Sequence, residues 1–401
     1  MVTSSRTALI ASSVLVSLLL PLNLACAQQT SGTVQTSASP AEPSSQRPAV
    51  KTVSSERGPL EVQQVATGLS HPWGMDFLPD GRLLVTERET GKLYLLPAGG
   101  GKPQEVPGTP EVIARGQGGM LDVAVHPDFA SNGLVYLSYA APGENGTSST
   151  ALGRGKLAEG RLEGFERIFV QTPWHSGSTH FGNRIVFAPD GGLFLTLGER
   201  FAFQPAQDLS GHLGKVVRLN DDGTPFKENP FLDQPGAKPE IWSYGHRNIE
   251  AATVHPETGK LWLGEMGPKG GDELNLIERG KNYGWPLVSW GNNYDSSPIP
   301  DPPTRPDLTD AVHHWTPVIS PCGMLFYTGE TFPEWKGDLL IGGLTTRQLV
   351  RVRLGDNKVV EEERIDLGSR IRDVEQAPDG SVYVLTDERD GSVWRLAPGQ
   401  P

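Results

Sequence analysis

The chain has 401 residues, with 35 basic and 47 acidic side chains and a net charge of −12. So acidic a chain is a poor nucleic-acid binder, and any anionic ligand must be held by a local basic cluster, not by the global field. Its two cysteines, Cys26 and Cys322, exclude a small fold stapled by several disulfides.

The first residues predict an export signal. Arg6 is the only charge before the apolar run from Ala8 to Leu20, which is too short to span a bilayer. Ala25-Cys26-Ala27 follows as a small-x-small cleavage site. Cys26 is also open to lipidation, although Asn23 sits where a lipoprotein signal takes an aliphatic residue. The expectation is a signal peptide over 1–27, cleaved to give a periplasmic or secreted product. Residues 28–57 are rich in Ser, Thr, Gln, Pro and Ala, which predicts a disordered tether because nothing there builds a core. Cleavage leaves Cys322 as the single cysteine, read as a buried structural thiol.

Residues 58–401 repeat a short unit: a strand-like run, a Pro-Asp or Pro-Glu turn with a nearby Gly, and a second strand-like run. The copies are MDFLPDGRLLVTE from Met75, LDVAVHPDFASNGLVYLSY from Leu121 and IVFAPDGGLFLTLGE from Ile185. Three more are AATVHPETGKLWLGE from Ala251, LFYTGETFPEWKGDLLIGG from Leu325 and VEQAPDGSVYVLTDE from Val374. Each reads as apolar alternation, tight turn, alternation again. Long amphipathic helices are absent from the pattern. Six radial copies of a small antiparallel sheet predict an all-β fold, a six-bladed β-propeller, with a large β-sandwich as the alternative. The extra length in the units at Pro189, Pro256 and Pro333 is assigned to loops on one face, where a site would be built.

The chemistry-bearing residues fall in those loops. Gln117 lies in GQGG, where glycines let the backbone approach a ligand. His180 in GSTHFGNR has the pKa range of a general base, or is a loop histidine bonded to backbone. Arg247-Asn248 follow EIWSYGH. Arg370 and Arg372, two apart, share a strand face and suit an anion, whether of the protein or of a ligand. EMGPKGGDELNLIERGKNYGWP, from Glu265, joins a Gly-Pro turn to Asp272, Glu273, Tyr283 and Trp285. Turn carbonyls beside carboxylates are ligands for a hard cation such as Ca²⁺, or simply an acidic turn between strands.

In this order, GQGG, THFGNR, YGHRN, GPKGGDELN with NYGWP, and RIRDV resemble the motif series of the soluble PQQ-dependent aldose sugar dehydrogenases, relatives of soluble quinoprotein glucose dehydrogenase. The resemblance covers about residues 60–397. It implies that His180 takes the proton of the sugar C1 hydroxyl while hydride passes to the quinone, and that Arg247 stabilises negative charge on the quinone oxygens. It implies Gln117, Arg247, Asn248, Arg370 and Arg372 as PQQ-binding residues. Gly267 and Pro268 would be carbonyl ligands of the Ca²⁺ at PQQ, and Asp272, Glu273 and Tyr283 would lie at a second, structural Ca²⁺. The implied partners are an aldose substrate, giving a lactone, and a soluble or membrane electron acceptor; the sequence leaves the sugar, the acceptor and the oligomeric state open. Two departures stand out. Thr345 occupies the place of a lysine that reaches the quinone, with Arg347 as a substitute from the same face, and Thr179 replaces Asp or Asn before the histidine. The other readings are a Ca²⁺-dependent lactonase-type propeller, with ligands converging from several blades, and a non-catalytic propeller binding carbohydrate or protein, which loss of that lysine favours.

Overall fold

The computed structural model describes residues 49–299 and 303–399. The signal peptide and most of the tether expected from the sequence lie outside them. Six antiparallel sheets follow one another along the chain, as the repeats predict: five of four strands and a sixth of five. Each repeat supplies the first two strands of one blade, joined by its Pro-containing turn. The turn at Pro79 shows why the motif works. Gly81 N donates to Leu78 O at 2.9 Å. Gly81 holds φ at 83°, a left-handed conformation that favours glycine.

The first strands of the six blades, Pro72–Phe77, Met120–Val125, Gly182–Phe187, Ile249–Val254, Pro321–Phe326 and Ile371–Gln376, ring the axis. Their side chains, with those of the second strands, fill the layers between blades. The ring closes in blade six, where Gly58–Leu69 pairs antiparallel with the C-terminal strand Gly391–Pro398. Joining the chain ends in one sheet leaves no open seam there.

The tether reading needs one correction. Ala49–Ser55 is not a linker but the outermost strand of blade six, paired with Gly58–Leu69. Composition hid a strand alternation: Lys51, Val53 and Ser55 are half-buried while Val50, Thr52 and Ser54 are exposed. Val53 packs on the blade core, and Glu56 N donates to Glu363 Oε1 at 2.5 Å.

A column of charge occupies the axis. Arg184 Nη1 lies 2.9 Å from both Asp122 Oδ1 and Asp373 Oδ1. Its Nε donates to Glu250 O at 2.7 Å and its Nη2 to Arg372 O at 2.9 Å. One cation thus ties blades two, three, four and six.

Candidate functional site

In every blade the segment entering the first strand and the segment leaving the second lie at the same end of the sheet, because the two strands are antiparallel. Gln117, His180, Arg247, Asn248 and Arg370 sit in segments entering first strands, and Gly267 and Pro268 in a segment leaving a second strand. At that end a cavity of about 440 Å³ is lined by Gln117, His180, Arg247, Asn248, Gly267, Pro268, Arg370 and Arg372. Residues spread over more than 250 positions of sequence therefore meet in one place.

His180 is 5 % exposed. Its Nδ1 lies 2.5 Å from Glu199 Oε1, and a carboxylate there fixes the tautomer with the proton on Nδ1 and leaves Nε2 as a proton acceptor. Burial pushes the imidazole below the ordinary histidine range, with Glu199 opposing. Its backbone N–H donates to Gln117 Oε1 at 2.6 Å, so one amide atom of Gln117 holds the base instead of a ligand. A Cβ on Gly198 would lie 2.0 Å from His180 O; glycine there is what lets the histidine backbone in.

Glu199 was not singled out from the sequence. Its signal was the acidic residue at the end of four of the six second strands, the Glu of VTE, of LGE twice and the Asp of TDE. In the structure these carboxylates each hold the segment entering a first strand. Glu87 accepts from Ser70 N at 2.8 Å. Glu265 accepts from Arg247 N and from His246 Nδ1. Asp387 pairs with His71 Nδ1 at 3.0 Å and Arg372 Nη2 at 2.5 Å.

The three arginines differ in availability. Arg247 Nη1 donates to Met266 O and Gly267 O, both at 2.9 Å, and Nη2 to Tyr294 Oη at 2.9 Å; its guanidinium pairs with no carboxylate among the described residues. Arg372 is paired through Nη1 with Glu250 at 2.5 Å and through Nη2 with Asp387. Arg370 is the loosest, 41 % exposed and 3.5 Å from Asp387. The Nε atoms of Arg247 and Arg372 are buried without a hydrogen-bond partner, an unmet donor capacity that an anionic ligand would satisfy.

Thr345 lines the cavity as expected, its hydroxyl 2.5 Å from Ser320 Oγ. Arg347, offered as its substitute, is exposed and not among the lining residues; its backbone turns at φ 60°. The sequence reading missed Arg88, which does line the cavity. Only 13 % exposed, it donates to Gly116 O at 2.6 Å and meets only the exposed Glu89, at 3.2 Å.

The acidic segment divides. Asp272 and Glu273 are consecutive on the strand Asp272–Leu276, so their side chains leave opposite faces and do not form one ligand pair. Asp272 is a staple: Oδ1 accepts from Gly267 N at 2.8 Å, and Oδ2 from Ile319 N at 2.8 Å and Ser320 N at 2.6 Å. Tyr283 Oη donates to Leu276 O at 2.6 Å and accepts from Glu278 N at 2.8 Å. Glu273 stands directly across the ladder from Glu265. Burial, with that like charge behind it, pushes Glu273 up to about 8, an environment that a bound cation would relieve.

Against known proteins, residues 69–395 match the glucose/sorbosone dehydrogenase family. The chain is 41 % identical over 345 residues to the aldose sugar dehydrogenase YliI of Escherichia coli K12, covering 84 % of this chain and 93 % of that protein. The crystal structure of the soluble aldose sugar dehydrogenase from Escherichia coli in its apo form superposes with a TM-score of 0.82 at 40 % identity, covering 85 % of this chain and 100 % of that one. The PQQ-bound aldose sugar dehydrogenase of Streptomyces coelicolor follows with a TM-score of 0.71 at 28 % identity, covering 84 % and 98 %. With a match across nearly the whole propeller, and its motif residues gathered in one cavity, the chain belongs to the glucose/sorbosone dehydrogenase family and is a sugar-oxidising oxidoreductase.

Proposed function

We propose that this chain oxidises the anomeric C1 hydroxyl of aldoses to the lactone, with PQQ as bound oxidant, Ca²⁺ at the cofactor and His180 as proton acceptor. The observation that carries the reading is the convergence of the His180–Glu199 pair with four arginines on one polar cavity. PQQ carries three carboxylates, and the donor set fits a polyanion: Arg88 and Arg370 meet no buried partner of their own beyond a shared or exposed carboxylate, and Arg247 and Arg372 carry unmet Nε donors. Arg88, Arg247, Asn248, Arg370 and Arg372 would hold it, with the Gly267 and Pro268 carbonyls toward the cation. When bound, PQQ supplies the two-electron oxidising capacity and Ca²⁺ the Lewis acidity. The protein's own part is to hold Nε2 of His180 unprotonated beside the sugar hydroxyl, to present guanidinium charge where negative charge develops, and to exclude bulk water from the cavity floor. The leader and the acceptor side of the reading are an exported enzyme passing electrons to a soluble or membrane acceptor.

A lactonase-type centre on the axis is disfavoured by what stands there. Arg184 already bridges Asp122 and Asp373 on the axis with a fixed cation.

The test is reconstitution of the purified protein with PQQ and Ca²⁺, followed by dye reduction on a panel of aldoses. Dye reduction that needs PQQ is expected; absence of PQQ binding overturns the reading. Within it, Arg88→Ala and Arg370→Ala each weaken PQQ roughly 10- to 150-fold, the worth of one charge-assisted hydrogen bond, measured by absorbance titration. Arg372→Ala differs, because Glu250 and Asp387 lose their buried cation; it lowers the melting temperature as well as the affinity.

The second Ca²⁺ is assigned to the Glu273 side of the acidic segment. Calcium at a hundredfold excess over its Kd then stabilises the fold by about 2.7 kcal/mol. Thermal unfolding in calcium against EDTA reads this directly, and Glu273→Gln abolishes the difference. A calcium response that survives the substitution places the ion elsewhere.

A further inference from the structure

The loop Glu199–Phe203 does more than orient His180. Arg200, Phe201 and Phe203 all hold positive φ, at 62°, 59° and 62°. Side-chain-bearing residues pay for that conformation, and such strain persists only where the surroundings over-determine it. Here they do. The Arg200 guanidinium, buried without a carboxylate of its own, donates to Thr179 O and Ser148 O, both at 3.0 Å. Glu199 Oε2 accepts from Phe203 N at 2.6 Å.

What this clamped loop displays is an apolar ring in water. Phe201 is 45 % exposed and Tyr294 61 % exposed, and they are the two aromatics among the large exposed apolar side chains of the described residues. They are also neighbours, with ring centroids 6.3 Å apart and planes 27° from parallel. Phe201 meets the His180 ring edge-on at 5.2 Å. From behind it is braced by Phe203, which stacks on Trp285. Tyr294 lines the cavity and its hydroxyl is tied to Arg247. An exposed aromatic pair, held in place at a strained loop and abutting the base, is a surface kept for a ligand with an apolar face.

We propose that Phe201 and Tyr294 form a platform at the cavity mouth for the C–H face of a pyranose ring, placing its anomeric carbon beside His180. The inference rests on the sugar-oxidation reading and deepens it by naming the side chains that seat the sugar. A pyranose presents C–H patches that meet the negative face of an aromatic ring, while its hydroxyls face the polar cavity. Open-chain polyols and short aldehydes have no such face and are poor substrates.

The probe is methyl β-D-glucopyranoside, which has no free C1 hydroxyl and is not oxidised. Saturation-transfer NMR in the presence of PQQ and calcium is expected to mark ring C–H protons of one face. Phe201→Ala and Tyr294→Ala each abolish that one-sided pattern, and Phe201→Trp retains it. In the dye-linked assay Phe201→Ala raises KM for glucose about tenfold with a smaller change in kcat. An unsided pattern with wild type, or a pattern and KM that survive both alanine substitutions, overturns the platform. A failed PQQ titration with the one-sided pattern intact overturns the quinoprotein reading and leaves the platform standing.

Discussion

His180→Ala is expected to lower kcat by roughly 10²–10⁴, the usual worth of a positioned general base, while PQQ titrates as in wild type. The geometry adds a second, sharper expectation through Glu199. Two influences act on the imidazole: burial lowers its pKa, and the Glu199 carboxylate raises it. A general base works only when neutral, so the rate is lost as pH falls through the folded pKa. With that pKa below the ordinary value of about 6.5, the acid limb of kcat/KM lies below that pH. Glu199→Gln can still accept the Nδ1 proton but removes the charge that raises the pKa, so the acid limb moves to still lower pH and the plateau rate falls. An acid limb that stays fixed, or moves upward, shows that Glu199 does not act through His180. The pH profile separates this from simple loss of packing, which would lower the plateau without moving the limb.

The fold was legible because its unit is local. A Pro-Asp-Gly turn between two alternating runs needs no knowledge of distant residues, and six copies fix the blade count. The motifs lie at or just before the starts of the first strands, which is why residues as far apart as Gln117 and Arg372 line one cavity. What escaped needs the third dimension. Glu199 is one acidic residue at the end of an apolar run, and only the closure of blade three shows that it faces His180. Arg88 sits in an ordinary charged turn, VTERETG, and only the ring of blades carries it to the cavity. The Asp272-Glu273 pair misled for the opposite reason. Adjacent in sequence, the two carboxylates are parted by the strand's own alternation, one stapling the Gly267 turn and the other facing Glu265. Ala49–Ser55 was hidden by its composition, since a strand at the edge of a sheet needs few apolar residues when its neighbour supplies the core.

Arg184→Met should destabilise the propeller by about 3–5 kcal/mol, the cost of leaving a buried partner charge unpaired. Methionine is shorter but apolar, unbranched and of similar volume, so the loss is chiefly of charge and hydrogen bonds. Asp122 and Asp373 would lose the cation they share, while Oδ2 of each still accepts from a neighbouring blade, Ile185 N and Met75 N, at 2.9 Å. Burial already pushes Asp122 up to about 7 even with Arg184 opposing, and Asp76, on the same axis, is pushed by burial to about 7. Without the arginine the carboxyls are raised further. A carboxyl whose folded pKa lies above its unfolded value of about 3.9 contributes stability that is present below that value and is lost as pH rises through the folded pKa. The gap between variant and wild type is therefore expected to be smaller at pH 5 than at pH 8, read by urea unfolding at both. Asp122→Asn in the Arg184→Met background should recover part of the loss at pH 8 by removing one stranded charge. A gap independent of pH would assign the cost to lost packing over Trp73, whose ring lies 4.4 Å from the guanidinium. The same substitution reaches the cofactor site, because Arg184 holds the backbone carbonyls of Glu250 and Arg372. PQQ affinity is expected to fall with stability, although residue 184 lines no part of the cavity.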